Sequence, residues 1–508
     1  MKSKLKYYIV LGLGGYALLL VLLMLAERNT SSAIQSFWDA LWYSVVTIST
    51  VGYGDLYPVT LPGRLIGVCF VLMSVGLLSC VVGAMVSRMG RLYPLAQLRW
   101  HRGKQWYVFS CGGADAEALA KDLQQREPKC AVLFPSEAAG QIALDGTVLF
   151  YPDSMAQAVR GKSDRCSLLF MGEDAIENYK GALAALPLGL PVFCCTDQVP
   201  TQCPKGLTLF AREESCAREY WRVHGLPREA REVLIVGDGD YSAAVLEQAL
   251  LVNVPWADDG VRYHLYGDWS DFRRCHPALE REGALEKDTI VYHDTPWNAD
   301  GALLHRADRI IFCNDTDEAN LEDLRLLRRY YSTTGQVHLR LQEDIPGETV
   351  FGTRESLCTA ELVLRSGLTK VGRMMHEIYR KGVPEADAWE ALSDFRKQSN
   401  LAAADHLIGK ARILLEDDTV TSLDKATCAA AYTRYCETCS YSAEAYRRLE
   451  HLRWMRFHIL YNWEYAPQRD NAARKHPMLR PFEDLPANER EKDDYAWELL
   501  GLLAEEME

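Results

Sequence analysis

Thr47-Ile48-Ser49-Thr50-Val51-Gly52-Tyr53-Gly54-Asp55 is the stretch on which the reading of this chain turns. A protein that strips a cation of its water must offer a stack of oxygens instead, so several consecutive backbone carbonyls have to face one axis. Such a run needs backbone angles that glycine reaches without penalty, and Gly52 and Gly54 supply them at alternate positions. The Thr50 hydroxyl adds a further ring of oxygens below the carbonyls. Thr50, Val51, Gly52, Tyr53, Gly54 and Asp55 are the candidate residues of this stretch.

Hydrophobic sequence lies on both sides. Tyr7 to Ala26 is almost wholly apolar, about twenty residues, enough at ~1.5 Å per residue to cross a hydrocarbon layer of ~30 Å. Leu65 to Val86 forms a second such stretch, entered from Pro62-Gly63-Arg64. Between them an aromatic amphipathic segment, Ile34 to Val46 with Trp38-Asp39-Ala40 and Trp42-Tyr43, leads into the glycine motif. From about Lys6 to Met89 the chain resembles the two-helix potassium-channel pore family, whose filter carries this pentapeptide. The resemblance implies K+ in the filter and four chains around one axis, a homotetramer embedded in membrane lipid. Lys2, Lys4 and Lys6 before the first span, and Arg88, Arg91, Arg99, Arg102 and Lys104 after the second, place both termini on the cytoplasmic side of a bacterial inner membrane. Asp55 would then form a ring of carboxylates at the outer mouth. In that family the inner helix bends at a glycine, but the matching position is Ser74. Gly76 is taken as the gating hinge instead, because glycine inside a helix otherwise costs roughly 1 kcal/mol.

The chain has 508 residues, a net charge of −13 and fifteen scattered cysteines. That balance excludes a nucleic-acid surface, and the cysteines form no disulfide-like framework. Cys436 and Cys439 have metal-ligand spacing but no second pair, so no metal site is assigned.

Beyond Arg102 short apolar runs alternate with helical stretches, the pattern of an open parallel sheet. It occurs twice, starting at Gln105 to Ser110 and again at Glu232 to Val236. A pore followed by two such units resembles the regulator-of-K+-conductance (RCK) family, whose Rossmann-like domains form a cytoplasmic gating ring. A dinucleotide turn wants glycines at its first and second positions. Cys111 stands at the first position of the first copy, which argues against phosphate there. The second copy keeps Gly237 and Gly239 with Ser242 third and Asp268 beyond the next strand, but Asp238 and Asp240 would repel a diphosphate unless a divalent cation intervened. Gly237, Gly239, Ser242 and Asp268 are the candidate ligand residues of this copy.

Past Leu364 helical periodicity takes over. Glu450-His451-Leu452-Arg453-Trp454 and Trp463-Glu464-Tyr465 resemble the small helical RyR domain named for ryanodine receptors, over about Glu444 to Leu502. Asn462 departs from the glycine common there. Trp454, Trp463 and Tyr465 offer flat faces, and Arg453, Arg469, Lys475 and His476 offer cationic donors, a combination suited to a purine with phosphates.

The fold class expected is a multi-domain membrane protein: an all-α pore over 1–92, a linker over 93–103, α/β Rossmann-like domains over 104–228 and 229–365, a helical connector over 366–443, and a mainly α RyR-like domain over 444–508. The function expected is a ligand-gated K+ channel and not an enzyme, since no nucleophile elbow, Walker loop or His-Glu-x-x-His helix occurs. The ligand expected is a small molecule, a nucleotide or a nucleotide-derived signal. The rivals are a membrane-tethered nucleotide-processing enzyme, a non-conducting scaffold, and a divalent-cation-gated channel using the RyR-like domain for assembly.

Overall fold

The computed structural model describes residues 2–100, 105–144, 147–151, 154–160, 165–196, 203–254, 260–281, 283–364, 366–382 and 386–506. The chain divides into two compact units, Met1–Arg102 and Gly103–Glu508.

The first unit holds three helices, α1 (Lys2–Glu27), α2 (Phe37–Ile48) and α3 (Leu61–Trp100). Among the described residues no helix is long and apolar enough to cross a membrane. The spans expected at Tyr7–Ala26 and Leu65–Val86 fall partly on side chains outside the description, at 7–13 and at 77, 78, 80, 81, 84 and 86. The short helix α2 starts where Ser36 and Asp39 cap it reciprocally: Ser36 Oγ accepts from the Asp39 amide, and Asp39 Oδ2 accepts from the Ser36 amide at 2.8 Å. Such a box is worth about 1 kcal/mol to a helix too short to hold itself. A buried carboxylate, Glu27, ends α1 and takes the amides of Val59 and Thr60, each at 3.0 Å. It thereby fixes the start of α3 against the end of α1. Glycine is required at position 63, because a Cβ there would lie 1.9 Å from Glu27 Oε1.

The second unit begins with two six-stranded parallel sheets. The first comprises β1 (Trp106–Phe109), β2 (Ala131–Pro135), β3 (Val148–Tyr151), β4 (Cys166–Phe170), β5 (Val192–Cys195) and β6 (Leu207–Phe210), in the order β3-β2-β1-β4-β5-β6. The second comprises β7 (Glu232–Val236), β8 (Arg262–Tyr266), β9 (Thr289–His293), β10 (Arg309–Phe312), β11 (Gln336–Arg340) and β12 (Thr349–Phe351), in the order β12-β11-β10-β7-β8-β9. Relative to their own first strands both are wound 3-2-1-4-5-6, the doubly wound Rossmann arrangement. The central strands are mostly apolar because helices cover both faces; β1, β4 and β10 are buried at every residue.

The two cores exchange elements. The helix Arg212–Val223 follows β6 yet sends Cys216, Ala217, Tyr220 and Trp221 into the core of the second sheet. Cys358 and Val363, which follow β12, pack in the core of the first. A cut at 228/229 thus separates the sheets without separating their cores.

The remainder is helical: Ser366–Gly382, Asp394–Asp405, Leu407–Leu415, Lys425–Leu460 and Tyr495–Glu506, with two parallel two-residue strands, Glu464–Tyr465 and Lys475–His476. The long helix has 36 residues, about 54 Å at the standard rise. It runs unbroken through the expected 443/444 boundary. It ends at Asn462, whose φ of +59° is the left-handed turn that asparagine tolerates best after glycine. The Trp463 amide bonds back to the His458 carbonyl at 2.9 Å, closing the helix as the glycine of the RyR pattern would.

Candidate functional site

In the glycine motif, Thr50, Gly52 and Gly54 have φ of +61°, +59° and +75°. The amides of Val51 and Gly52 turn back to the Val46 carbonyl at 3.1 and 3.2 Å. Among the described residues no hydrogen bond ends on the carbonyls of Thr50, Val51, Gly52, Tyr53 or Gly54. The segment therefore spends its donors on α2 and keeps its acceptors open, which is what a dehydrated cation requires. Trp42 braces it from α2: its ring stacks on Tyr53, centroids 6.2 Å apart, and its Nε1 donates to Asp55 Oδ2 at 2.8 Å. Asp55 is thus a tether of the loop. Gly76 lies on α3, and among the described residues nothing comes within 4 Å of a Cβ added there.

At the second Rossmann turn the candidate residues are brought together but not as a phosphate cradle. Gly237 has a φ of +132°, and a Cβ there would strike Ser242 Oγ and the Cys313 carbonyl. Ser242 is wholly buried and donates to that carbonyl at 2.5 Å, which removes it from any ligand-facing role. A Cβ on Gly239 would lie 2.1 Å from the Asp315 carboxylate; an acid occupies the place a diphosphate needs. Asp268 is exposed and offers a carboxyl oxygen to the Ser270 amide, while its own amide donates to Asp238. Among the described residues no group of three His, Cys, Asp or Glu side chains is placed to hold a metal ion, Cys436 and Cys439 included.

The first turn borders a cavity of 610 Å³ that also receives Arg212, Arg340 and Arg354. Asp115 takes both Arg212 Nε and Arg354 Nε at 2.9 Å, so one carboxylate is shared between two of these cations. Their sequence distance from the turn hid them.

The RyR-like residues separate into three groups. Arg453 is buried in an ion cluster, donating to Glu450 Oε1 at 2.6 Å, while Lys410 meets Glu450 Oε2 at 2.7 Å. Burial alone would raise the Glu450 carboxyl, but Arg453 and Lys410 hold it down at about 2. Arg453 is therefore a core residue, a correction to its reading as a ligand donor. Tyr465 is exposed, and Lys475 is paired with Glu464 Oε2 at 2.5 Å; neither lines a cavity described here. Trp454, Arg469 and His476 do converge, on a cavity of 490 Å³.

Three further residues of that cavity escaped the sequence reading. His451 and His458 lie on the face of the long helix that carries Trp454, and Arg396 comes from the helix Asp394–Asp405. The ring centroids of His458 and His476 are 4.0 and 5.0 Å from that of Trp454. Burial pushes the His458 imidazole down to about 3 and that of His476 to about 4, so both are neutral at pH 7; His458 Nδ1 donates to the Trp454 carbonyl at 2.9 Å and His476 Nδ1 accepts from the Met478 amide at 3.1 Å. Burial and the neighbouring Arg396 charge also lower Arg469. Arg396 and Arg469, with Phe395, line a second cavity of 1020 Å³ as well. Trp463 borders that cleft from the core side: it is only 6% exposed and stacks on Phe395 at 5.1 Å.

Comparison with known proteins agrees with these two regions. The Ion channel family matches residues 5–91 and the RyR domain family residues 436–504. A voltage-gated potassium channel of Aeropyrum pernix is 44% identical over 55 residues, 11% of this chain and 19% of that protein. Potassium voltage-gated channel subfamily A member 6 of Mus musculus is 32% identical over 94 residues, 18% of each chain. The chain thus spans less than a fifth of the length of these curated relatives. Among solved structures, the GsuK channel aligns over 69% of this chain and 94% of its own at 16% identity, TM-score 0.33. The GsuK channel bound to NAD aligns over 70% and 82% at 14% identity, TM-score 0.31. Superpositions this loose carry no detail across. Residues 5–91 are thus similar to potassium-channel sequences and residues 436–504 to the RyR domain family, in one chain with two doubly wound α/β domains.

Proposed function

We propose that the chain is a ligand-gated potassium channel of a bacterial inner membrane, four copies surrounding one filter, with both termini in the cytoplasm. The observation that carries this reading is the filter loop, whose left-handed Thr50, Gly52 and Gly54 leave five successive carbonyls without donors. The two Rossmann-like domains act as the gating ring, and the RyR-like domain, through Trp454, Arg469 and His476, senses a nucleotide or nucleotide-derived signal. Moving a pore from 1:99 to 99:1 open takes about 5.5 kcal/mol of differential binding, roughly 1.4 kcal/mol from each of four sites.

Purified protein in liposomes with a potassium gradient tests the channel. Barium-sensitive flux favouring K+ over Na+, abolished in Gly52→Ala, is the expected result. Nucleotide hydrolysis without flux would replace it with the tethered enzyme.

A second reading places the ligand at the first Rossmann turn. It is favoured by Arg340, whose buried Nε lacks a hydrogen-bond partner and which borders the cavity there. Ligand response lost in Arg340→Gln and kept in Arg469→Gln would select it.

A further inference from the structure

The two cavities of the C-terminal region share one wall. Phe395, Arg396 and Arg469 line both. Arg396 Nη1 holds Asp387 at 3.1 Å, whereas Arg469 Nε rests on the neutral Asn471 Oδ1 at 2.8 Å and has no carboxylate partner among the described residues. Two guanidiniums with one carboxylate between them leave a net positive charge at the junction, which an anion would neutralise.

The cavities on either side differ in chemistry. The smaller one presents Trp454 with four imidazoles, His376, His451, His458 and His476, alongside Glu489, Lys492 and Asp493, a wall for a heteroaromatic ring with donors and acceptors on its edge. The larger one is lined by five carboxylates, among them Glu214 and Glu247, and also by Arg218 and Arg474. Glu247 meets His276 at 3.0 Å, and its carboxylate retains acceptor capacity beyond that one contact. Carboxylates repel further phosphate and accept hydrogen bonds from hydroxyl groups.

We infer that the ligand is a nucleoside diphosphate sugar: base against Trp454 in the smaller cavity, diphosphate on Arg396 and Arg469, and uncharged sugar in the acid-lined cleft beside Glu247. The inference rests on the reading of this region as a nucleotide sensor and specifies its ligand class. It also accounts for the position of the cleft, whose other wall, Ala243, Ala244 and Glu247, belongs to the helix Asp240–Val252 of the second Rossmann-like domain. A ligand filling both cavities touches sensor and ring together, whereas a mononucleotide touches only the first.

Calorimetry on the full chain in detergent, with AMP, ADP, ATP, ADP-ribose, UDP and UDP-glucose, tests it. At least one sugar conjugate should bind about tenfold more tightly than its own nucleoside diphosphate, the effect of one or two hydrogen bonds to charged acceptors. ATP should bind no more tightly than ADP. Arg469→Gln, at an exposed position, should weaken diphosphates and sugar conjugates alike by tenfold or more; Glu247→Gln should weaken only the sugar conjugate. Conjugates no tighter than their diphosphates, or ATP the tightest ligand, in a protein where Arg469→Gln still weakens binding, would overturn the sugar assignment and leave the sensor standing. No nucleotide binding, or binding indifferent to Arg469→Gln, would overturn both.

Discussion

Trp42 Nε1 and Asp55 Oδ2, 2.8 Å apart, join the short helix α2 to the far end of the glycine motif, so the loop between them is held at both ends. Trp42→Phe keeps a ring to stack on Tyr53 and deletes only the donor. Both groups are exposed, which limits the bond to about 1 kcal/mol. The expected result is a channel that selects K+ normally in high potassium and loses conduction sooner than the parent as external potassium is lowered. Identical behaviour across a potassium titration of liposome flux would leave the bond without a role in the loop's stability.

Gly63→Ala should damage the pore unit itself. The new Cβ would lie 1.9 Å from Glu27 Oε1, and Glu27 cannot retreat without abandoning the amides of Val59 and Thr60. A cost of about 1–3 kcal/mol follows from such overpacking. Size-exclusion of detergent-extracted protein should show loss of the assembled peak at a temperature the parent withstands.

Gly76→Ala carries no such clash among the described residues. A change in gating in this variant reports helix bending. Lower open probability with unchanged K+/Na+ selectivity in bilayer recordings is expected. Parental gating would remove Gly76 as the hinge.

Trp463→Ala and Trp454→Ala should separate. Trp463 belongs to the core, stacked on Phe395, and its truncation should cost about 3–5 kcal/mol, read as a lower melting temperature. Trp454 lines the smaller cavity, and its loss should weaken ligand binding by more than it lowers that temperature. The reverse pattern would exchange their roles.

Acidification should loosen the C-terminal region. His458 and His476 have folded values of about 3 and 4, below the ~6.5 of an unfolded histidine. Between pH 6.5 and 4 the unfolded chain therefore binds more protons than the folded one, and stability falls as pH falls, by up to roughly 1.4 kcal/mol per pH unit for each proton. The melting temperature should drop from pH 7 to pH 5, and less steeply in His458→Gln. A flat profile would mean that these imidazoles take up protons in the folded protein as readily as in the unfolded chain.

Both sheets were legible in the sequence because a strand covered on two faces writes a continuous apolar run, as Val233 to Val236 does. The short edge strands β6 and β12 were not, since three or four residues give no periodicity to read. Turn chemistry was half legible. The acids around Gly239 announced a poor phosphate cradle, but the acid that fills it, Asp315, lies more than seventy residues on. Arg453 misled because an arginine beside a tryptophan looks the same whether it faces solvent or pairs with Glu450 inside. Arg396 was missed because it sits in what read as a connector.

Arg456 carries a consequence for the evolutionary exchange of parts. Buried on the long helix, it meets Asp288 Oδ2 at 2.8 Å and donates to the carbonyls of Leu250 and Leu285, all contributed by the second Rossmann-like domain. Pulling the RyR-like domain away would strand one charge on each surface, a penalty of several kcal/mol. The transplantable module is therefore larger than the RyR domain: a chimaera that grafts residues 436–504 onto another ring must bring a counterpart of Asp288 with it, or begin life with an orphaned cation at its seam.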